Sequence, residues 1–169
     1  GLQIDLDRKR ILYQLLKRLV RTPPAFQRWR DGIGTDSHVG TDAAGELRML
    51  EYAQRLRHLR RAVGASAEQP SSGSALWSAA ASSGAQAAGQ PIGAIAPRRR
   101  ADLVVLDGAH PMLTGRDGAA IADTLVFAPA PGLVRDVYVA GRPVIADGHH
   151  AAQAAIAARF AATMRRLLG

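Results

Sequence analysis

Apolar residues recur at helical spacing along several stretches of the chain. Residues 43–63 carry one at every third position, which predicts a helix with one buried face. An alanine-rich stretch over residues 74–88 is followed by Gly89, and this predicts a second helix that ends at the glycine. A further helix is predicted over residues 151–168. The buried face of the helix over residues 43–63 is expected to consist of Leu47, Leu50, Ala53, Leu56 and Leu59.

The first 30 residues combine the same spacing with a basic polar face. Residues 7–21 place six aliphatic residues on one side of a predicted helix, with arginine and lysine on the rest, and Pro23-Pro24 ends the pattern. Such a helix either packs its stripe on a core or lies against an anionic partner. The stripe consists of Ile11, Leu12, Leu15, Leu16, Leu19 and Val20.

From residue 91 onward the pattern changes to that of strands. Residues 92–96, 101–107 and 124–127 are short apolar runs that each predict a strand, and residues 108–122 predict a glycine-rich loop. The run over residues 101–107 is apolar on both faces, which is typical of a strand covered on both sides.

A hairpin is predicted near the end of the strand region. Residues 134–139 and 142–146 flank Ala140-Gly141, a two-residue connection of the kind found in tight β-hairpins. Pro143 cannot donate to a ladder, so its strand is expected at an edge of the sheet or bulged.

The residues best suited to catalysis or metal binding lie between the helices predicted over residues 7–21 and 43–63. Residues 32–38 read Gly-Ile-Gly-Thr-Asp-Ser-His, and they predict a short strand with Asp36 at its carboxyl end. Open α/β sheets and barrels place their chemistry at that end. Alternatively, Asp36 or Ser37 only caps the following helix, a role that Thr41 or Asp42 can also fill.

Length and composition narrow the classes of protein. A chain of 169 residues with 47% hydrophobic residues forms one domain, or a domain with a small appendage, and buries a sizeable core. It has no cysteine, so no disulfide framework or thiolate metal site is expected, which fits a reducing, cytoplasmic location. No apolar run approaches the ~20 residues of a membrane span, so no membrane partner is predicted.

The net charge of +8 is concentrated at one terminus. Residues 1–30 carry eight lysines and arginines against Asp5 and Asp7, whereas residues 31–169 are close to neutral. This distribution argues against a nucleic-acid-binding surface over the whole chain. The arginines at 98–100 are interpreted as a solvated rim.

The order of these elements resembles the C-terminal portion of the amidohydrolase superfamily. Residues 99–107, R-R-A-D-L-V-V-L-D, carry the superfamily resemblance. The segments G-T-D-S-H-V at 34–39, E-L-R-M-L-E-Y at 46–52 and Q-R-L-R at 54–57 resemble the formimidoylglutamate deiminases of histidine degradation. The resemblance covers residues 31–169.

The resemblance implies an α/β fold. Residues 31–90 are expected to hold the last strand and following helices of a (β/α)8 barrel. Residues 91–169 are expected to hold the C-terminal strands of a small composite β-sandwich and a terminal helix. Residues 1–30, the basic amphipathic helix, do not resemble the family and form a third region.

The resemblance also assigns roles around Asp36. It matches the last-strand aspartate that binds one divalent metal, most often zinc, and moves protons. In the implied reaction, water is added to the formimidoyl carbon, and protonated Asp36 gives its proton to the departing ammonia, leaving N-formylglutamate. Ser37 and His38 are expected beside the substrate. The partners implied are a small-molecule substrate and a second copy in a homodimer.

The chain departs from the family in its histidines. The family's barrel begins with a His-x-His pair, which is absent here, and His38 is the first histidine. A catalytic zinc takes three protein ligands, so the chain is expected to bind no metal and to be inactive by itself. Three alternatives stay open: another aminohydrolase acting on a cyclic amidine or a nucleobase, a non-enzymatic module that binds an anionic partner through residues 7–21, and pairing with a chain that supplies the rest of the barrel.

Overall fold

A computed structural model describes residues 33–34 and 40–169. Its helices are α1 (Ala43–His58), α2 (Ser72–Ala88), α3 (Gly118–Phe127) and α4 (Gln153–Leu168). Its strands are β1 (Leu103–Leu106), β2 (Val134–Val139) and β3 (Arg142–Ile145), and a 3-10 turn spans Pro111–Leu113. Residues 1–30, with the predicted basic helix, lie outside the described residues.

The chain divides into two compact units. The helical unit consists, within the described residues, of 33–34, 40–90 and Arg116–Pro129, and it contains α1, α2 and α3. The sheet unit consists of Pro91–Gly115 and Ala130–Gly169, and it contains the three strands and α4. Helix α3 is therefore inserted in sequence between two strands of the other unit.

The core of the helical unit forms where its three helices meet. Leu47 of α1, Leu76 of α2 and Val126 of α3 pack together and are almost fully buried. Ile33 packs against this cluster from the segment that precedes α1. Helix α2 begins at the N-cap Ser71 and ends at Gly89, whose positive φ of 60° confirms the glycine as the predicted stop.

Helix α1 is shorter than predicted, and it buries a different face. It ends at His58, and the expected stripe residues Leu56 and Leu59 are 56% and 79% exposed. The cause is Glu51, which is fully buried and accepts hydrogen bonds from the backbone amides of Val63 and Gly64. Those amides can reach Glu51 only if the chain turns back after His58. The buried face consists of Ala44, Leu47, Glu51 and Gln54.

Helix α3 replaces a predicted loop and strand. Residues 108–122 were expected to be a loop and 124–127 a strand, because Thr-Leu-Val-Phe favours β structure. Both predictions are wrong over Gly118–Phe127, where packing outweighs that preference. Gly73 of α2 lets the backbone of α3 approach closely, and its amide donates to Asp123 Oδ1 at 2.7 Å.

The sheet is antiparallel in the order β1-β2-β3. Val104 pairs with Val137, and Val139 pairs with Arg142 across Ala140-Gly141. Both turn residues have positive φ, 51° and 76°, as a type I′ turn requires, so the predicted hairpin is confirmed. The strand with Pro143 lies at an edge of the sheet, beside a register shift, as predicted.

Two other predictions about this unit have different outcomes. The strand expected over residues 92–96 is wrong. That segment is a loop in which the Arg100 amide donates to the Pro91 carbonyl at 2.7 Å, and Gly93 takes a positive φ. The terminal helix is confirmed as α4, which has no buried residue. Across the part of the chain that the structure describes, no helix has the length and apolar character to cross a membrane.

Candidate functional site

The predicted site residues fall in one short segment. Asp36, Ser37 and His38 lie outside the described residues, in the gap at 35–39. The structure does describe the flanks of this gap. Before it, Ile33 packs on the helical core, and after it the chain resumes at Gly40 and enters α1 at Ala43. The described flanks of the gap are thus a core contact on one side and the start of a helix on the other.

The N-cap of α1 is Asp42. Its Oδ1 atom accepts a hydrogen bond from the Ala44 amide at 3.0 Å, and its Oδ2 atom lies 3.4 Å from the Arg48 guanidinium. Asp42 thereby fills the capping role that the sequence also allowed for Asp36 or Ser37. Asp36 and Ser37 lie outside the described residues, so their role stays a prediction.

The buried carboxylate of the helical unit is Glu51, one turn along α1 from Leu47. Arg55, four residues further along the helix, pairs with it, and its Nε atom lies 2.8 Å from Oε1 of Glu51. The same carboxylate accepts from two backbone amides, at 3.0 and 2.8 Å. Its acceptor sites are committed to holding the chain after α1, so Glu51 serves structure rather than catalysis.

Arg55 also contacts two aromatic rings. Its guanidinium carbon lies 5.2 Å from the centre of the Tyr52 ring and 5.1 Å from that of Phe127, and the two rings are stacked with centres 6.1 Å apart. This cation–π contact joins α1 to α3. The burial of Glu51 and the stacking of the two rings have no signature in the sequence.

The charged groups of the sheet unit are paired at its surface. Arg100 and the amide of Ala140 both donate to Asp102, and these hydrogen bonds hold the pKa of the Asp102 carboxyl below its ordinary value. The Asp147 amide and Arg135 do the same for the pKa of Asp136. Arg98 and Arg99 are exposed, as expected for a solvated rim.

Within residues 33–34 and 40–169, no group of three or more His, Asp or Glu side chains is placed to hold a metal ion. His58 is exposed. The ring nitrogens of His110 and the Nδ1 atoms of His149 and His150 contact backbone groups. The described residues thus do not form a metal centre. Asp36 and His38, the expected ligand and its neighbour, lie in the gap.

Comparison with known proteins identifies the family. The sequence matches the amidohydrolase family over residues 22–144. It is 48% identical over 139 residues to a formimidoylglutamate deiminase from Pseudomonas aeruginosa, an alignment that covers 82% of this chain and 31% of that enzyme. The matched part is the C-terminal portion of the enzyme.

Two solved structures share the fold. A crystal structure of an amidohydrolase from Brucella melitensis matches with a TM-score of 0.70 and 35% identity, over 82% of this chain and 30% of that one. An adenosine deaminase from Xanthomonas campestris, solved with bound zinc, matches with a TM-score of 0.60 and 23% identity, over 79% and 30% of the two chains.

The chain thus spans about a third of the length of the relatives it matches. Its α/β architecture, with helices and antiparallel strands, is that of a fragment of the amidohydrolase fold, as the resemblance implied. The family match extends over most of its residues. The chain belongs to the amidohydrolase family.

Proposed function

We propose that this chain is the C-terminal part of a formimidoylglutamate deiminase. The observation that carries the proposal is the 48% identity over 139 residues to the Pseudomonas enzyme. The complete enzyme would hydrolyse N-formimidoyl-L-glutamate to N-formyl-L-glutamate and ammonia, a step of histidine degradation. The reaction is proposed for the complete enzyme, because this chain covers 31% of the length of the Pseudomonas enzyme.

In this proposal Asp36 is the catalytic carboxylate. Water adds to the formimidoyl carbon, the carbon–nitrogen bond to the amino group breaks, and ammonia leaves. Asp36 takes one proton from the water and passes it to the nitrogen. It then takes the second from the hydroxyl of the addition product and passes it to the departing amino group, so both protons of the water end on ammonia and the carboxyl returns to its starting state. Ser37 and His38 would contact the substrate beside it. Ile33, three residues before Asp36, packs on the helical core.

A divalent metal, with zinc as first choice, would be bound by Asp36 together with residues beyond this chain. When bound, it would activate the water. The described residues supply no set of three ligands, so the other ligands would have to come from outside them. We propose that the chain alone gives no turnover, and that purified chain with added zinc releases no ammonia from formimidoylglutamate.

A chimera tests the proposal directly. Residues 31–169 would replace the matching third of the Pseudomonas enzyme, and ammonia release from formimidoylglutamate would be measured, with adenosine as the comparison substrate. We expect activity on formimidoylglutamate, and we expect Asp36→Asn to abolish it. Asp42→Asn, which alters the cap of α1 and its exposed contact with Arg48, is the matched control and should retain most activity. A folded but inactive chimera, or one that prefers adenosine, would contradict the substrate assignment.

The remaining properties follow from the same proposal. We propose a cytoplasmic location, a homodimer as the assembled state, and the division of the chain into residues 1–30, 31–90 and 91–169. Light scattering of the chimera tests the dimer, and a monomer at micromolar concentration would contradict it.

A further inference from the structure

We propose that His110 is a protonation-sensitive clasp that ties two loops of the sheet unit together. Its Nδ1 atom lies 3.1 Å from the backbone nitrogen of Met112, and its Nε2 atom lies 3.2 Å from the carbonyl oxygen of Pro131. One ring therefore contacts its own 3-10 turn and a loop that is 21 residues away in sequence. The inference concerns the sheet unit and is independent of the proposed function.

The two partners fix the state of the imidazole. The Met112 amide can only donate, so Nδ1 must be unprotonated to accept from it. The Pro131 carbonyl can only accept, so Nε2 must carry the hydrogen. Only the neutral ring with its proton on Nε2 satisfies both contacts. Protonation of Nδ1 would place two N–H donors face to face, and the ring could not hold both loops.

The clasp lies where the chain leaves and re-enters the sheet unit. The chain departs after Gly115 to form α3, and it returns at Ala130. His110 lies shortly before Gly115 in the sequence, and Pro131 lies directly after Ala130. A second contact, from the Asp107 amide to the Leu133 carbonyl at 3.0 Å, joins the same two loops. The clasp thus joins the two loops that flank α3 in the sequence.

The buried apolar side chains of the sheet unit lie on the same two loops. Leu113 and Leu133 are those side chains among the residues described. Leu113 belongs to the 3-10 turn that His110 caps, and Leu133 follows Pro131 by two residues. Releasing the clasp would therefore act on both of the loops that carry the buried side chains.

Two charged residues are linked to the clasp. Asp107 belongs to the same turn, where its carbonyl accepts from the His110 amide. Arg135 on β2 interacts electrostatically with Asp107. Because only the neutral ring makes both hydrogen bonds, a proton added at Nδ1 would release the clasp.

His150 provides an internal control. Its Nδ1 atom accepts from the Ala152 amide at 3.1 Å, as His110 does from Met112, but the contact stays within one turn at the start of α4. Protonation of His150 would remove the same kind of cap without separating two loops. The two histidines therefore distinguish a clasp from an ordinary imidazole cap.

Amide hydrogen exchange of the isotopically labelled full chain tests the inference. Protection of the Asp107 amide, corrected for intrinsic exchange, would be compared at about pH 7.5 and about pH 5, on either side of ordinary imidazole titration. We expect it to fall about tenfold in acid, the effect of losing one typical hydrogen bond. Ring nitrogen shifts at the higher pH should show the Nε2-protonated tautomer of His110.

Two variants complete the experiment. His110→Asn keeps a short acceptor for the Met112 amide but cannot reach Pro131, so Asp107 protection should be low at both pH values. His150→Asn should leave the acid response of Asp107 intact. The inference is overturned if Asp107 protection is the same at both pH values, if His110→Asn keeps the response, or if the ring shifts show a proton on Nδ1 at the higher pH.

Discussion

The helical unit and the sheet unit differ in how many apolar side chains they bury. Among the described residues, the helical unit buries five and the sheet unit two. The five are Ala44, Leu47, Val63, Leu76 and Val126. Because burial of apolar area is the main stabilising contribution in folding, the helical unit should supply most of the stability of the chain.

The sheet unit relies instead on polar contacts at its surface. Asp102 joins Arg100 to the hairpin turn at Ala140, and Asp136 joins Arg135 to the Asp147 amide. Exposed ion pairs contribute little each and weaken with salt and acid. The contrast teaches that core substitutions should act on the helical unit, whereas pH should act on the sheet unit.

Truncation of the helical core should have the largest effect. Leu47→Ala removes a buried side chain from the centre of the cluster with Leu76 and Val126, and we expect the free energy of unfolding to fall by about 2–5 kcal/mol. Urea unfolding followed by helical circular dichroism measures it. Leu56→Ala, on the exposed side of the same helix, is the control and should change stability by less than about 0.5 kcal/mol. Equal losses would contradict the assignment of the buried face.

Removal of the Glu51 carboxylate should come next. Glu51→Ala leaves the amides of Val63 and Gly64 without their acceptor and Arg55 without its partner, and the expected loss is about 2–4 kcal/mol. Glu51→Gln keeps the size and one acceptor oxygen, so it should lose clearly less in the same unfolding experiment. If Glu51→Ala and Glu51→Gln had the same free energy of unfolding, the hydrogen bonds to the side-chain oxygens of Glu51 would not be what holds the chain after α1.

Two glycines of α2 should respond in opposite directions. A Cβ atom at Gly73 would lie 2.7 Å from the Asp123 Cα atom of α3, so Gly73→Ala should destabilise by about 1–3 kcal/mol. Gly84 has open space around its Cα, and Gly84→Ala should stabilise by roughly 0.5–1 kcal/mol through helix propensity. Thermal unfolding of both variants checks the sign, and destabilisation by Gly84→Ala would refute the argument.

The sequence predicted elements where local chemistry and packing agree. Gly89 ends α2 where expected, and Ala140-Gly141 forms the expected turn, because Gly89 and Gly141 take a positive φ without steric cost. The prediction from sequence failed where contacts between residues far apart in the chain determine the secondary structure. The run Thr-Leu-Val-Phe became part of α3 through packing on α2, which single-residue preference cannot show.

The candidate site was predicted in the same uneven way. Ile33 does pack on the core before the Asp36 segment, and Asp42 was among the residues expected to cap α1. The burial of Glu51 was missed, because its partners are backbone amides, which have no sequence signature. The assignment of Asp36 stays a prediction that rests on resemblance.

The response of the sheet unit to acid should be the smallest of the four predicted effects. The pKa values of Asp102 and Asp136 are below the ordinary 3.8, mainly because Arg100 donates to the first and the Asp147 amide to the second. A carboxyl whose pKa is lower in the folded state stabilises the fold above its unfolded pKa, and this stabilisation is lost as the pH falls through the folded value. Protection of the Ala140 and Asp147 amides should therefore decline below about pH 4, while core amides of the helical unit hold.

Asp102→Asn gives the matched control for this acid response. The asparagine oxygen can still accept from the Ala140 amide, but the side chain no longer titrates or attracts Arg100 as an anion. Ala140 protection should then be slightly lower at neutral pH and no longer fall in acid, whereas Asp147, which reports on Asp136, should keep its response. If Ala140 still lost protection at the same pH, the acid sensitivity would belong to the sheet unit as a whole, and the contrast between the two units would rest on burial alone.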